Sequence, residues 1–202
     1  MTTTTDVIED PGLFRCRCLT FKGDNEMKIR RIVTAESGAG VEVQATDLLE
    51  ATAGLPTNIW GFDQLPILPL EAQQVLGDYL QKGLFGPKGA LRVDVMSFPP
   101  ETGNQGPDLG DLMAKVDFGT GHNMTPGKSG GGMHRTDSID IVVVISGEGD
   151  MSYPDEDGEL KEIHLKVGDF IVQNGNFHEW RNRSSAPFVV LFVTLGAKRQ
   201  AP

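Results

Sequence analysis

His134-Arg135-Thr136-Asp137-Ser138-Ile139-Asp140-Ile141-Val142-Val143-Val144-Ile145-Ser146-Gly147 is the stretch on which the fold turns. Its second part, residues 138–146, is a nearly continuous β-branched run, the pattern of a strand buried on both faces. Gly147 supplies the turn after it. In an extended segment, residues 134, 136, 138 and 140 share one face. In a closed barrel that face is the lumen. A carboxylate inside such an apolar run is costly to bury unless it is paired, so Asp140 needs a partner: a metal ion, or a cation such as Arg135 or Arg181.

Working outward from this run, short strands recur at turn-punctuated intervals. Residues 149–153 begin a strand and Pro154-Asp155-Glu156-Asp157-Gly158 turns it. Residues 160–165 alternate, 170–173 form a short strand, Asn174-Gly175 turns, 178–182 form another, and 187–195 form a long buried one. Upstream, residues 91–98 alternate cleanly and Pro99-Pro100 ends them. Residues 28–34 and 40–45 read as a hairpin, 58–62 as a strand, and 14–21 as a short edge strand. Residues 70–80 have helical spacing weakened by Gly77, and 109–116 give a second helical hint. The Gly-rich stretch 119–132 predicts no regular element and reads as a lid or a surface loop. The whole is an all-β barrel or sandwich with one or two short helices.

The 202 residues suffice for one domain with a full core. The 25 glycines and 12 prolines suit a turn-rich β protein. A net charge of −10 disfavours nucleic acid and anionic membrane surfaces. No apolar run is long enough for a membrane-spanning helix, and the Thr-rich, acidic start is unlike a signal peptide, so a cytoplasmic location is expected. Cys16 and Cys18 would sit on one face of a strand and read as reduced thiols.

Two motifs resemble those of the cupin superfamily. The first has the form G-x5-H-x-H-x3–4-E-x6-G. Here His134, Asp140 and Gly147 keep its spacing, with Thr136 at the second histidine and Asp140 at the glutamate. The second has the form G-x5-P-x-G-x2-H-x3-N. Here Gly175, His178 and Asn182 keep the spacing, with Asn174 at the proline and one residue fewer after Gly168. The chain is also similar to a subgroup of small single-barrel cupins with M-H-R-T-D-S-I-D and G-D-x-x-V-Q-x-G-x-x-H-x-W-R-N signatures.

The resemblance implies a double-stranded β-helix, jelly-roll-like, with its core over residues 133–196. Residues 11–118 extend that barrel, 119–132 form the loop or lid, 1–10 read as a disordered arm and 197–202 as a tail. Metal-binding cupins use three histidines and a carboxylate. The matching set here is His134, Asp140 and His178, the composition of a facial triad for iron that would also accept manganese or zinc. A metal-free site with the same three residues as an acid/base set is the other expectation. Thr136, Phe170, Trp180 and Phe192 are the expected pocket residues. His122 in the loop reads as a lid base or a solvated histidine, and His164 carries no role.

The resemblance therefore implies a small-molecule enzyme, a lyase, decarboxylase, isomerase or dioxygenase, or else a non-enzymatic ligand-binding barrel. The partners expected are a small-molecule substrate or ligand and a second copy of the chain in a homodimer.

Overall fold

The computed structural model describes residues 19–21, 26–37, 40–68, 85–101, 124–127 and 132–200. Among them the chain is all strand and turn, without a helix. The strands run β1 (Leu19–Phe21), β2 (Glu26–Ser37), β3 (Gly40–Thr52), β4 (Pro56–Phe62), β5 (Leu91–Phe98), β6 (Met124–Pro126), β7 (His134–Thr136), β8 (Ser138–Ser146), β9 (Glu148–Pro154), β10 (Leu160–Lys166), β11 (Phe170–Gln173), β12 (Glu179–Arg181) and β13 (Phe188–Gly196).

Two walls enclose the core. One is a five-stranded antiparallel sheet in the order β11-β8-β13-β5-β4. The other is the sheet β10-β9-β12, continued by the pair β6-β7 through a two-bond bridge between His134 and His178. Alternation decides what each strand puts inside. β8 buries Ser138, Asp140, Val142 and Val144, and β13 buries Phe188, Val190 and Thr194 on the same face. Met96, Phe98, Met151, Leu165 and Trp180 complete this inner core, with Phe192 packed against it. The inner face is thus apolar towards Phe188 and polar towards Asp140, Thr194 and Arg92, which are register neighbours across β8, β13 and β5.

The outer face of the five-stranded sheet has its own apolar cluster. Val95 and Val189 pack there on Met27, Ile29 and Ala51 of the β2–β3 hairpin. The β2–β3 hairpin thereby adds a second layer against the sheet, while β4 and β5 belong to the wall itself.

Turns close where glycine permits. Gly147 has φ +72° and stands where a Cβ would lie 2.2 Å from the Pro187 carbonyl oxygen, so no other residue fits between β8 and β9. Asn182 is buried and donates to the carbonyls of Phe98 and Ala186, while its Oδ1 accepts from Ser184. It pins the turn into β13.

Several expected bounds change. The hairpin strands are longer than 28–34 and 40–45, because across the register shift at Arg30/Ile32 residues 48–52 keep pairing with 26–30, and at the other end Ala35–Ser37 pair with Gly40–Glu42. Met124–Pro126, inside the Gly-rich stretch, is a strand paired to β7. The expected helices at 70–80 and 109–116 lie outside the described residues, as do the arm 1–10, Cys16, Cys18 and His122. No helix in the described part is long and apolar enough to cross a membrane.

Candidate active site

His134 opens β7 and His178 immediately precedes β12. Their backbones exchange both hydrogen bonds, His134 N to His178 O at 3.0 Å and His178 N to His134 O at 2.8 Å. This pairing brings two residues 44 positions apart onto one lumen-facing row, with ring centroids 4.6 Å apart. Each ring is tied from its δ nitrogen. His134 Nδ1 lies 2.7 Å from the Gly132 carbonyl, and His178 Nδ1 lies 3.0 Å from the Asn176 carbonyl. A carbonyl only accepts, so both Nδ1 atoms carry the proton and both Nε2 atoms keep a lone pair.

Burial sets their charge state. It pulls His134 below the ordinary histidine range, against the Gly132 carbonyl and Glu179, which pull up. It drives His178 down to about 3, helped by the neighbouring His134. Both imidazoles are therefore neutral at pH 7. Trp180 stands edge-on to His178 at 5.7 Å and to Phe192 at 5.7 Å, and stacks near Phe98. It forms the wall between the imidazole pair and the apolar core.

Asp140 lies among hydroxyls. Thr136 Oγ1 is 3.4 Å from Asp140 Oδ2 and 2.7 Å from Ser138 Oγ. Burial raises the carboxyl to about 6, while hydrogen bonds from Ser138, Thr136 and Thr194 pull it down. Its Oδ1 is buried without a hydrogen-bond partner among the described residues. The expected arginine partners are committed elsewhere: Arg181 to Glu101, and Arg135 over the Phe177 ring.

The expected site residues are thus partly assembled. His134 and His178 meet, Thr136 and Asp140 form an adjoining polar patch, and Trp180 and Phe192 line the same interior. Phe170 is a correction. It is 73% exposed on the outer face of the sheet, because the turn at Gly168-Asp169 puts Ile171 and Gln173 of β11 inward.

Three residues were not anticipated. Asp94 on β5 faces the lumen in register with Phe192 and Asn58. Glu179 is buried behind the pair and accepts from Gly132 N. Arg199, in the segment read as a tail, donates to the carbonyls of Thr136 (3.0 Å) and Gly175 (2.7 Å) and pairs with Asp137. It ties the two motifs together. The alternation of residues 91–98 marked Asp94 as a strand position facing Val's opposite side; nothing local marked Arg199.

A divalent ion would find two imidazole donors here. Among the described residues, no group of three or more histidine, cysteine, aspartate or glutamate side chains is placed to hold a metal ion. A hydroxyl replaces one imidazole at Thr136, and Asp140 is drawn into its hydroxyl neighbours. These residues do not compose the three-ligand centre that the motif spacing implied.

A β-barrel whose two motif histidines are bridged, one on β7 and one just before β12, fits the cupin pattern. The Cupin domain family model matches residues 122–194, so this part of the chain is a cupin domain. Its relatives include phomopsin biosynthesis cluster protein C' of Diaporthe leptostromiformis, 46% identical over 67 residues, covering 33% of this chain and 33% of that protein. Oryzines biosynthesis cluster protein J of Aspergillus oryzae is 42% identical over 66 residues, covering 32% of this chain and 35% of that one. The matched part spans about one third of each relative. Among solved structures, the cupin domain of an XRE family transcriptional regulator from Enterobacter cloacae is 21% identical, with a TM-score of 0.34, covering 58% of this chain and 95% of that one.

Proposed function

We propose that this protein is a small-molecule enzyme that acts on an intermediate of a biosynthetic cluster by proton transfer, with His134 and His178 as its neutral base pair and Asp140 as its acid. The reading rests on one observation: both imidazoles spend Nδ1–H on a backbone carbonyl, which leaves each Nε2 with its lone pair. Environments that separate the acidities of neighbouring groups assign their roles. Asp140, raised to about 6, holds its proton nearer to neutrality than an ordinary carboxyl does. The imidazoles present lone pairs that can accept from a substrate O–H, N–H or acidified C–H.

The chemistry such a set supplies is elimination, isomerisation or decarboxylation. Trp180 and Phe192 offer flat apolar walls to the substrate body. The relatives carry the names of biosynthesis clusters, which supports a natural-product intermediate as substrate.

The test is turnover of cluster intermediates by the purified chain in the presence of a chelator, read by mass spectrometry. Activity should persist with chelator and fall about 100-fold or more in His134→Ala and in His178→Ala. Unchanged turnover in both variants overturns the reading. Turnover abolished by chelator and restored by a single divalent ion replaces it with a metal-dependent one, with the two Nε2 atoms as protein ligands.

The low basicity of His178 favours a second reading, a barrel that binds its ligand without converting it. A metabolite that raises Tm in chelator and is recovered unchanged would favour that role.

A further inference from the structure

The carbonyl that fixes the His134 ring belongs to a residue with little conformational preference of its own. Gly132 ends a run of three glycines, and glycine takes up many backbone conformations at similar cost. A carbonyl on such a residue keeps one direction only if the backbone on both sides of it is tied. The following side is tied twice: Met133 O accepts from Gly127 N at 2.7 Å, and His134 N donates to His178 O at 3.0 Å. The preceding side is tied by a side chain, since Gly132 N donates to Glu179 Oε1 at 3.3 Å.

Glu179 opens β12 in register with Ser152. Strand alternation puts it on the opposite side of β12 from Trp180, which faces the apolar core. It is buried all the same. Enclosing a carboxylate is costly unless it accepts hydrogen bonds, and this one accepts from a backbone N–H two residues before His134. Its negative charge lies close enough to pull the His134 ring upward, against burial. The His178 ring is anchored by other means. Its carbonyl comes from Asn176, in a turn that Arg199 grips at Gly175 O, 2.7 Å away. The two rings of the pair are thus held from separate places.

We propose that Glu179 is a positioning residue for His134: by holding the Gly132 N–H it aims the Gly132 carbonyl at Nδ1, and so dictates that the ring carries its proton on Nδ1 and its lone pair on Nε2. The tautomer of a histidine is set by the hydrogen bond its other nitrogen makes. Glu179 acts one step further back, through the glycine that makes that bond. Its catalytic consequence rests on the reading of His134 as a base; its effect on the ring does not.

Two-bond proton–nitrogen correlation spectra of the histidine rings test this on the full labelled chain at pH 8, where both rings are neutral. The nitrogen shifts of a neutral ring show which atom carries the proton. In the wild type, His134 and His178 should both be protonated on Nδ1. Glu179→Ala removes the acceptor, and Glu179→Asp draws it back by one methylene while keeping the charge. Each should turn His134 into a mixture with the Nε2–H form and leave His178 as it was. Glu179→Gln keeps an acceptor oxygen at the same reach and should keep the wild-type tautomer. On a turned-over substrate, kcat should fall about tenfold in the alanine and aspartate variants, with KM little changed, and return in the glutamine variant. A His134 ring that stays wholly Nδ1–H in Glu179→Ala, or in Glu179→Asp if the alanine variant does not fold, overturns the proposal. So does a tautomer lost in Glu179→Gln, or an equal change at His178, which would make Glu179 a general support of the fold. A moved His134 ring with unchanged turnover upholds the positioning and overturns His134 as the base.

Discussion

Burial acts on His178 and Asp94 with opposite consequences for stability, because it penalises whichever form is charged. The folded His178 takes a proton only near pH 3, whereas an unfolded histidine takes one near 6.5. Between these values the unfolded chain binds more protons, so this group's contribution is full above 6.5 and is lost as pH falls towards 3. In a proton NMR titration the His178 ring should show no inflection between pH 8 and 5. His164 is the internal control: its hydrogen bond to Asp150 raises it, so it should titrate above the usual histidine value. A His178 inflection near 6.5 would remove the buried, neutral pair.

Asp94 is the converse. It is 1% exposed, and burial lifts its carboxyl from 3.8 to about 7 despite the Asn58 hydrogen bond and nearby Arg92. Asn58 Nδ2 donates to Asp94 Oδ1 at 2.6 Å, while Asn58 Oδ1 and Asp94 Oδ2 are buried acceptors without a partner among the described residues. A proton on Asp94 converts one of these acceptors into a donor. The folded state therefore binds more protons between about pH 4 and 7, and the stabilisation is full below 4 and lost as pH rises through 7. Asp94→Asn should be more stable than wild type at pH 8, and the gain should shrink towards pH 4 in paired thermal melts. A difference that does not change with pH would show that Asp94 is ionised throughout.

At the scale of elements, the site depends on how β7 is held against the turn before β12. The His134–His178 bridge contributes two backbone hydrogen bonds, and Arg199 adds two carbonyl contacts and the Asp137 ion pair from the other side. Hydrogen bonds from a charged donor are each worth about 1.5–3 kcal/mol, but the guanidinium is one-third exposed, which discounts them. Arg199→Ala should cost about 2 kcal/mol in urea unfolding. It should also raise the His178 inflection in the same NMR titration, because a loosened turn admits water to the ring. Arg199→Lys should restore part of the stability and less of the geometry, since a point charge cannot span two carbonyls and a carboxylate. An Arg199→Ala protein with wild-type stability and an unmoved His178 would make the contact incidental.

At the scale of the molecule, the layers follow from alternation with two apolar phases. β5, β8 and β13 are apolar on both faces, so they sit between an inner core at Trp180 and Phe188 and an outer cluster at Met27 and Val189. The run 138–146 already announced a strand covered on both sides. The turn signals at Gly147, Pro154–Gly158 and Asn174-Gly175 fell where the chain turns, and the two motif histidines face one lumen. Periodicity and turn chemistry are local, and a sequence displays them. The full length of β2 and β3 was not legible, because residues 46–52 mix charged and apolar positions and their pairing with 26–30 comes from the partner strand. Phe170 looked like a pocket wall because its side depends on the phase of β11, which the turn at Gly168-Asp169 fixes.

The residues alone determined the strands and turns from Ser138 onward and the two motif histidines, because each rests on covalent spacing and side-chain type. The fold decided that Asp140 lies among the hydroxyls of Thr136 and Ser138, that Asp94 faces the interior beside Asn58, and that Arg199 locks both motifs. Those outcomes depend on which strands become neighbours, and burial then sets the charge of the groups enclosed between them.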